Sequence, residues 1–219
     1  RFGNAMLTRV VGWLFGKSFG DILSGYRVFS RRFVKSFPAL VDHYALGINN
    51  RGDFVGGSET GPFIHTSSGV RYFSARQDGG GGDWASALND TGDVIGSTSY
   101  ALMLQFGFLH SRRGNQRIGA FGGEWSQPTS VNSAGHVVGY AEAVGNPYYP
   151  PSQAFLYKNG VLRNLGTLGG ASSAAADIND AGQIVGTADL PKPPGAEESD
   201  WGDVHAFLYQ RGAMRDLGT

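Results

Sequence analysis

Apolar positions along this chain follow two different rhythms. From the N-terminus, Phe2, Met6, Leu7, Val10, Val11, Leu14 and Phe15 recur at i, i+4 and i+5, the spacing of one face of an amphipathic helix. Gly16 stands where a C-cap belongs, Asp21 caps a turn, Ser24-Gly25 reads as a loop, and Ser30 caps a second short helix that stops before Pro38. Beyond residue 40 the rhythm changes. Short apolar runs alternate with Gly, Asn and Asp clusters, the pattern of brief strands joined by tight turns.

The second region repeats itself. Ile48-Asn49-Asn50-Arg51-Gly52-Asp53-Phe54-Val55-Gly56 returns as residues 88–96, 131–139 and 178–186, always aliphatic, Asn, two residues, Gly, one residue, two apolar residues, Gly. Asn49, Asn89, Asn132 and Asn179 are 40, 43 and 47 residues apart, a period that marks a repeat architecture. The Asn side chain accepts a local backbone hydrogen bond, and the first Gly supplies the positive φ of a type I turn with a following bulge. A hairpin is thus predicted from Ala85–Leu88 to Val94–Ser97, and likewise in each copy. A second phrase follows: Pro62-Phe63-Ile64-His65, Gly107-Phe108-Leu109-His110, Ala154-Phe155-Leu156-Tyr157 and Ala206-Phe207-Leu208-Tyr209. Each leads to a second turn, of which Asn159-Gly160 is the strongest two-residue hairpin signal. Four short strands in about 45 residues is the arithmetic of a propeller blade. The predicted fold is all-β, a propeller-like stack of four four-stranded repeats (about 41–78, 79–121, 122–168 and 169–219) behind a short helical segment, residues 1–40.

Composition supports that division. Of 219 residues, 35 are Gly, placed at turn positions rather than in helices. The formal net charge is zero, but residues 1–40 carry +6 and the remainder −6. The basic segment suits phosphates or a membrane surface, and the acidic remainder argues against general nucleic-acid binding. With no Cys, disulfides and thiolate metal sites are excluded. No run of apolar residues is long enough for a membrane-spanning helix. No secretory signal is visible, and the sequence opens on Arg1.

Residues 1–40 resemble one region of the family 2 polyprenyl-phosphate (dolichol-phosphate type) glycosyltransferases. The likeness rests on Arg1-x-Gly3-Asn4, the amphipathic helix, Asp21-x-x-Ser24-Gly25-Tyr26-Arg27 and the run from Ser30-Arg31-Arg32 to Pro38. It implies phosphate-facing roles for Arg27, Arg31 and Arg32, since guanidinium binds phosphate in bidentate fashion. The nucleotide-binding strands that precede this segment in the family are absent from the sequence, and no two Asp residues stand at i, i+2 as a nucleotide-diphosphate metal site requires. After Leu40 the chain enters the repeats instead of the family's Phe-Glu-x-Glu-type stretch. A transferase fragment or fusion, inactive without its nucleotide-binding half, is the alternative reading of the whole.

Residues 41–219 resemble the HAF-type repeats of predicted extracellular bacterial proteins. The name-giving triplet stands at His205-Ala206-Phe207, and the linker phrase Leu165-Gly166-Thr167-Leu168-Gly169-Gly170 begins again at Leu217-Gly218-Thr219. The resemblance implies a propeller-like fold, an extracellular or envelope location and no established activity. The renewed linker points to further repeats beyond Thr219.

Within the repeats, His65 and His110 align with Tyr157 and Tyr209, so a polar-tipped strand position is expected rather than a metal or catalytic site. His136 aligns with Asp53, Asp93 and Gln183 and is expected at the surface. Asn89-Asp90-Thr91-Gly92-Asp93 has a calcium-loop flavour, but its acids become Ser133 and His136 in the third copy, which favours a turn. Gly79–Gly82 aligns with Gly122-Gly123 and Gly169-Gly170, and all three read as inter-repeat linkers. No nucleophile elbow is present. Two insertions, Gly145–Ser152 and Leu190–Asp203, leave the repeat between its second and third strands. Their Tyr148, Tyr149 and Trp201 are the candidate ligand contacts, suited to stacking on a glycan or peptide. The sequence thus predicts a non-catalytic binding or surface-interaction module without cofactor or metal. Its partner would be a glycan, peptide or protein, with membrane-surface contact through residues 1–40.

Overall fold

The computed structural model of the protein describes residues 43–58, 60–75, 82–99, 104–145, 150–193, 195 and 203–218. The chain divides after Asp42, and the described residues belong to the unit that begins at His43. The helices expected in residues 1–40 lie outside the described residues.

Among the described residues all regular structure is β. The strands are β1 (His43–Ile48), β2 (Phe54–Ser58), β3 (Gly61–Thr66), β4 (Gly69–Tyr72), β5 (Asp83–Leu88), β6 (Val94–Ser99), β7 (Gln105–Ser111), β8 (Gly114–Ile118), β9 (Gly122–Val131), β10 (Val137–Ala143), β11 (Ser152–Lys158), β12 (Val161–Asn164), β13 (Ser173–Ile178), β14 (Ile184–Asp189), β15 (Val204–Gln210) and β16 (Ala213–Gly218). Each successive four form an antiparallel meander, hereafter repeats 1 to 4. One parallel contact, Gln105 opposite Trp125, joins β7 to β9 and links the second and third sheets. One departure from expectation lies in the same strand, where Gly122 pairs with Ala143 of β10. Gly122 and Gly123, read as linker, instead open β9, which runs ten residues along β10.

The turns follow their residue chemistry. Gly52 N–H donates to Asn49 O over 3.1 Å and Asn49 N–H to Asp53 O over 3.0 Å, with Gly52 at φ 81°, and the same pair of bonds recurs at Asn89, Asn132 and Asn179. Asn159 and Gly160 have φ of 53° and 81°, the two left-handed positions of a type I′ turn. In repeat 4 the first of these positions is filled by Arg211, also at 53°.

The second Gly of the phrase has a steric reason. A Cβ added at Gly96, Gly139 or Gly186 would lie 2.0, 2.1 or 2.1 Å from the carbonyl oxygen of Trp84, Gln127 or Ala174. On its other side it would meet the ring of Phe108, Phe155 or Phe207. Those phenylalanines sit directly opposite the glycines in the strand register and are almost fully buried. The ring lies over the bare glycine backbone, so the Gly of the first phrase and the Phe of the second are two halves of one packing unit. Beside it, every first strand carries a bulge three residues before the Asn, at Leu46, Ser86, Thr129 and Ala176.

The core lies between repeats, not within them. Val55 and Ile64 of repeat 1 pack on Ala85, Leu88 and Val94 of repeat 2. Ile95, Leu109 and Ile118 of repeat 2 pack on Val137, Ala141, Phe155 and Tyr157 of repeat 3. Val138, Ala154 and Leu165 of repeat 3 pack on Ala175, Ile178, Ile184 and Phe207 of repeat 4. A four-stranded meander cannot enclose a core alone, so each sheet buries its apolar face on the next.

Candidate functional site

Four turns, one from each repeat, gather at one end of the stack. Each Asn Oδ1 accepts backbone N–H groups of its own turn, from Arg51 and Asp53, Thr91 and Asp93, Ala134 and His136, and from Gln183. Its Nδ2 does a second job. Asn49 Nδ2 donates to Asn89 O over 3.1 Å, Asn89 Nδ2 to Asn132 O over 2.8 Å, and Asn132 Nδ2 to Asn179 O over 3.1 Å. An amide is the one short side chain that supplies both acceptor and donor here; Asp would keep the turn and lose the bridge.

The next position adds a clamp. Asn50 donates from backbone N and from Nδ2 to the carboxylate of Asp90, at 2.9 and 2.8 Å. Ser133 repeats this on Asp180, at 2.8 and 3.0 Å. These bonds, with help from Arg51, hold the Asp90 carboxyl below its ordinary value, the Asn50 side chain contributing most. Asp90, whose neighbourhood suggested a calcium loop, is therefore engaged in a repeat-to-repeat bond, as is Asp180. Among the described residues no group of three His, Asp or Glu side chains converges as metal ligands.

The turns border two grooves. One, of about 360 Å³, is lined by turn residues of all four repeats, from Asn49 and Asn50 to Asn179 and Asp180. The other, of about 510 Å³, lies among repeats 1 to 3 and is bordered by Arg51, Asp90, Asp93, Arg112, Arg113, Gln116, Ser133 and Tyr157. Most of its polar groups are already bonded. Arg51 pairs with Asp53 at 2.7 Å, Thr91 Oγ donates to Asn89 Oδ1 at 2.8 Å, and Tyr157 donates to Gln116 Oε1 at 3.0 Å. Arg112 and Arg113 are exposed at the second turn of repeat 2. The groove is suited to hydrogen-bonding and charge recognition.

The histidines pack as strand residues. His65 stacks on Phe54 with ring centroids 4.5 Å apart, and His110 on Phe73 at 4.3 Å. His136, expected at the surface, is instead half-buried. Its pKa is lowered from 6.5, first by burial and then by the charge of Lys158. His205 meets the Asp216 carboxylate at 2.9 Å. The Asp216 pKa is lowered, mainly by the backbone N–H of Gly218 and then by His205.

The connection carrying Tyr148 and Tyr149 joins β10 to β11, and that carrying Trp201 joins β14 to β15. All three residues, like Arg27, Arg31 and Arg32, lie outside the described residues. Gly79–Gly81 do too. Nothing in the sequence singles out Arg112 and Arg113 as groove residues, because an arginine pair beside Gly114 carries only a turn signal. In comparisons with protein-family models and with curated proteins, nothing matches this chain.

Proposed function

We propose that residues 43–218 are a propeller-like repeat module that works by binding rather than by catalysis. The observation that carries this reading is the groove bordered by the first turns of all four repeats. Four turns around one groove imply that the repeats wind about a common axis, with β1, β5, β9 and β13 innermost. In a meander the connection from second to third strand emerges at the end opposite those turns. The two longest such connections, in repeats 3 and 4, therefore share one end and offer Tyr148, Tyr149 and Trp201 to a ligand. Aromatic side chains on loops of a rigid scaffold suit stacking on a glycan or peptide. The HAF-type resemblance favours a secreted or envelope bacterial setting for such a module.

The test is a glycan and peptide microarray probed with the full chain and with Tyr148→Ala and Trp201→Ala. The proposal expects hits that weaken at least about tenfold in the variants, the share of an aromatic anchor. Hits unaffected by either change would remove these loops from the site.

A further inference from the structure

The larger groove, among repeats 1 to 3, holds more hydrogen-bond donors than its own acceptors use. First turns supply Arg51, Asp90 and Asp93 to it, and the second turns of repeats 2 and 3 supply Arg112, Arg113 and Asn159. Its volume of about 510 Å³ falls within the roughly 300–1,000 Å³ of small-ligand sites. The acids are already engaged. Asp90 accepts two bonds from Asn50, and Asp93 Oδ2 accepts from Asn89 Nδ2 at 3.1 Å. Arg51 is engaged too, by Asp53.

Arg112 and Arg113 differ. Both are exposed, and neither guanidinium has a hydrogen-bond, ion-pair or ring partner among the described residues. Gln116, half-buried in the same groove, has its Oε1 taken by the Tyr157 hydroxyl at 3.0 Å, which leaves its amide N–H groups without an acceptor. Burial raises the Tyr157 pKa, so the phenol keeps the proton that orients this amide. The apolar lining residue Leu109 and the Tyr157 ring are each only 6% exposed. A ligand here meets hydrogen-bonding groups, not an apolar slot or an aromatic platform. Two guanidinium forks suit a carboxylate, and side-chain amides suit ring hydroxyls, which both donate and accept.

We infer that this groove binds a short acidic saccharide, its uronate carboxylate held by Arg112 and Arg113 and its ring hydroxyls by Gln116 and Asn159. The site is separate from the loops carrying Tyr148 and Trp201. Those loops join second to third strands, whereas the groove is bordered by turns joining first to second and third to fourth strands.

Titration of digalacturonate into the full chain, followed by amide chemical shifts, tests this beside neutral digalactose and inorganic sulfate. Digalacturonate is expected to bind with a Kd at or below about 1 mM, and digalactose and sulfate at least about tenfold more weakly. Arg112→Ala and Arg113→Ala are each expected to weaken binding about tenfold, the share of a charge-assisted hydrogen bond. Both arginines are exposed on a turn, so the variants are expected to keep the wild-type strand spectrum. Gln116→Glu, which sets a carboxylate against that of the ligand, is expected to weaken binding as well. Tyr148→Ala and Trp201→Ala are expected to leave it unchanged. A Kd above about 1 mM, digalactose bound as tightly, or binding unchanged in both arginine variants would each overturn the inference. Sulfate bound as tightly as digalacturonate would overturn it by reducing the groove to a bare anion site. Binding lost in Tyr148→Ala or Trp201→Ala but kept in the arginine variants would overturn it by moving the ligand to the loops.

Discussion

The side-chain amide of Asn89 donates across 2.8 Å to the backbone carbonyl of Asn132, forty-three residues further along the chain. This bond couples the two levels of the architecture. The same side chain accepts the backbone N–H groups that close its own turn and donates to the turn of the next repeat. Local folding of one hairpin therefore prepares the donor that fixes the position of its neighbour. Because the apolar clusters also lie between repeats, cohesion passes from each repeat to the next, and no single repeat holds the core.

The glycine that ends each repeated phrase is predicted to be the position least tolerant of a methyl group. In Gly139→Ala the new Cβ lies 2.1 Å from Gln127 O and 2.9 Å from the Phe155 ring, so backbone or core must move. Urea denaturation is expected to show a loss of about 3 kcal/mol or more. Gly160→Ala is the contrast: its φ is 81° but nothing lies within 4 Å. It is expected to cost roughly 1–2 kcal/mol, the left-handed penalty alone.

Arg211 occupies a left-handed turn position that Asn159 fills in the preceding repeat, both at φ 53°. Asn enters this region more readily, because its short side chain bonds locally. Arg211→Asn is expected to stabilise the protein by about 1 kcal/mol, read as a higher urea midpoint at unchanged m-value. An unchanged or lower midpoint would show that the long Arg side chain contributes elsewhere.

Stability is expected to fall on acidification in two stages. His136 has a folded pKa lowered from 6.5, so its neutral form is favoured by folding. That contribution is present above pH 6.5 and is lost as pH falls through the lower folded value. His136→Gln, which borrows the residue of repeat 4, should flatten the thermal midpoint against pH just below 6.5. Asp90 has a folded pKa lowered from 3.8 by its bonds from Asn50. Its contribution is present above 3.8 and is lost only at lower pH, a limb that Asp90→Asn should weaken.

Some of this was legible in the residues themselves. Asn-x-x-Gly states a turn because both conformational requirements are local: a side-chain acceptor and a residue free to take positive φ. The alignment of His65 and His110 with Tyr157 and Tyr209 marked packing positions, and the stacks on Phe54 and Phe73 are that packing. What a single repeat cannot state is its neighbour. Val138 and Val185 occupy the same place in the phrase, yet one is buried and the other exposed, because only the first has a repeat stacked upon it. The forward donation of Asn89 has the same character, since its acceptor is a distant backbone group with no side-chain signature. His136 lies partly buried, as Asp93 does and less than Asp53, while Gln183 of repeat 4 is exposed, so an aligned polar residue does not by itself state its exposure. The aromatic residues proposed for ligand contact were read from their type and from their place in insertions between second and third strands, and they lie outside the described residues.

The claim that asparagine amides couple successive repeats is tested most directly by comparing Asn132→Asp with Asn179→Asp in equilibrium urea denaturation. Asp preserves the turn acceptor at both sites. At position 132, 4% exposed, it removes the 3.1 Å donor to Asn179 O and sets a carboxylate against a carbonyl. At position 179, which is exposed, the side chain bonds to Gln183 of its own turn and the backbone carbonyl that receives Asn132 is unchanged, so no bridge is lost. The expected losses are about 3 kcal/mol for Asn132→Asp and at most about 0.5 kcal/mol for Asn179→Asp. Equal losses at the two sites would contradict the account, since they would confine the asparagine's role to its own turn.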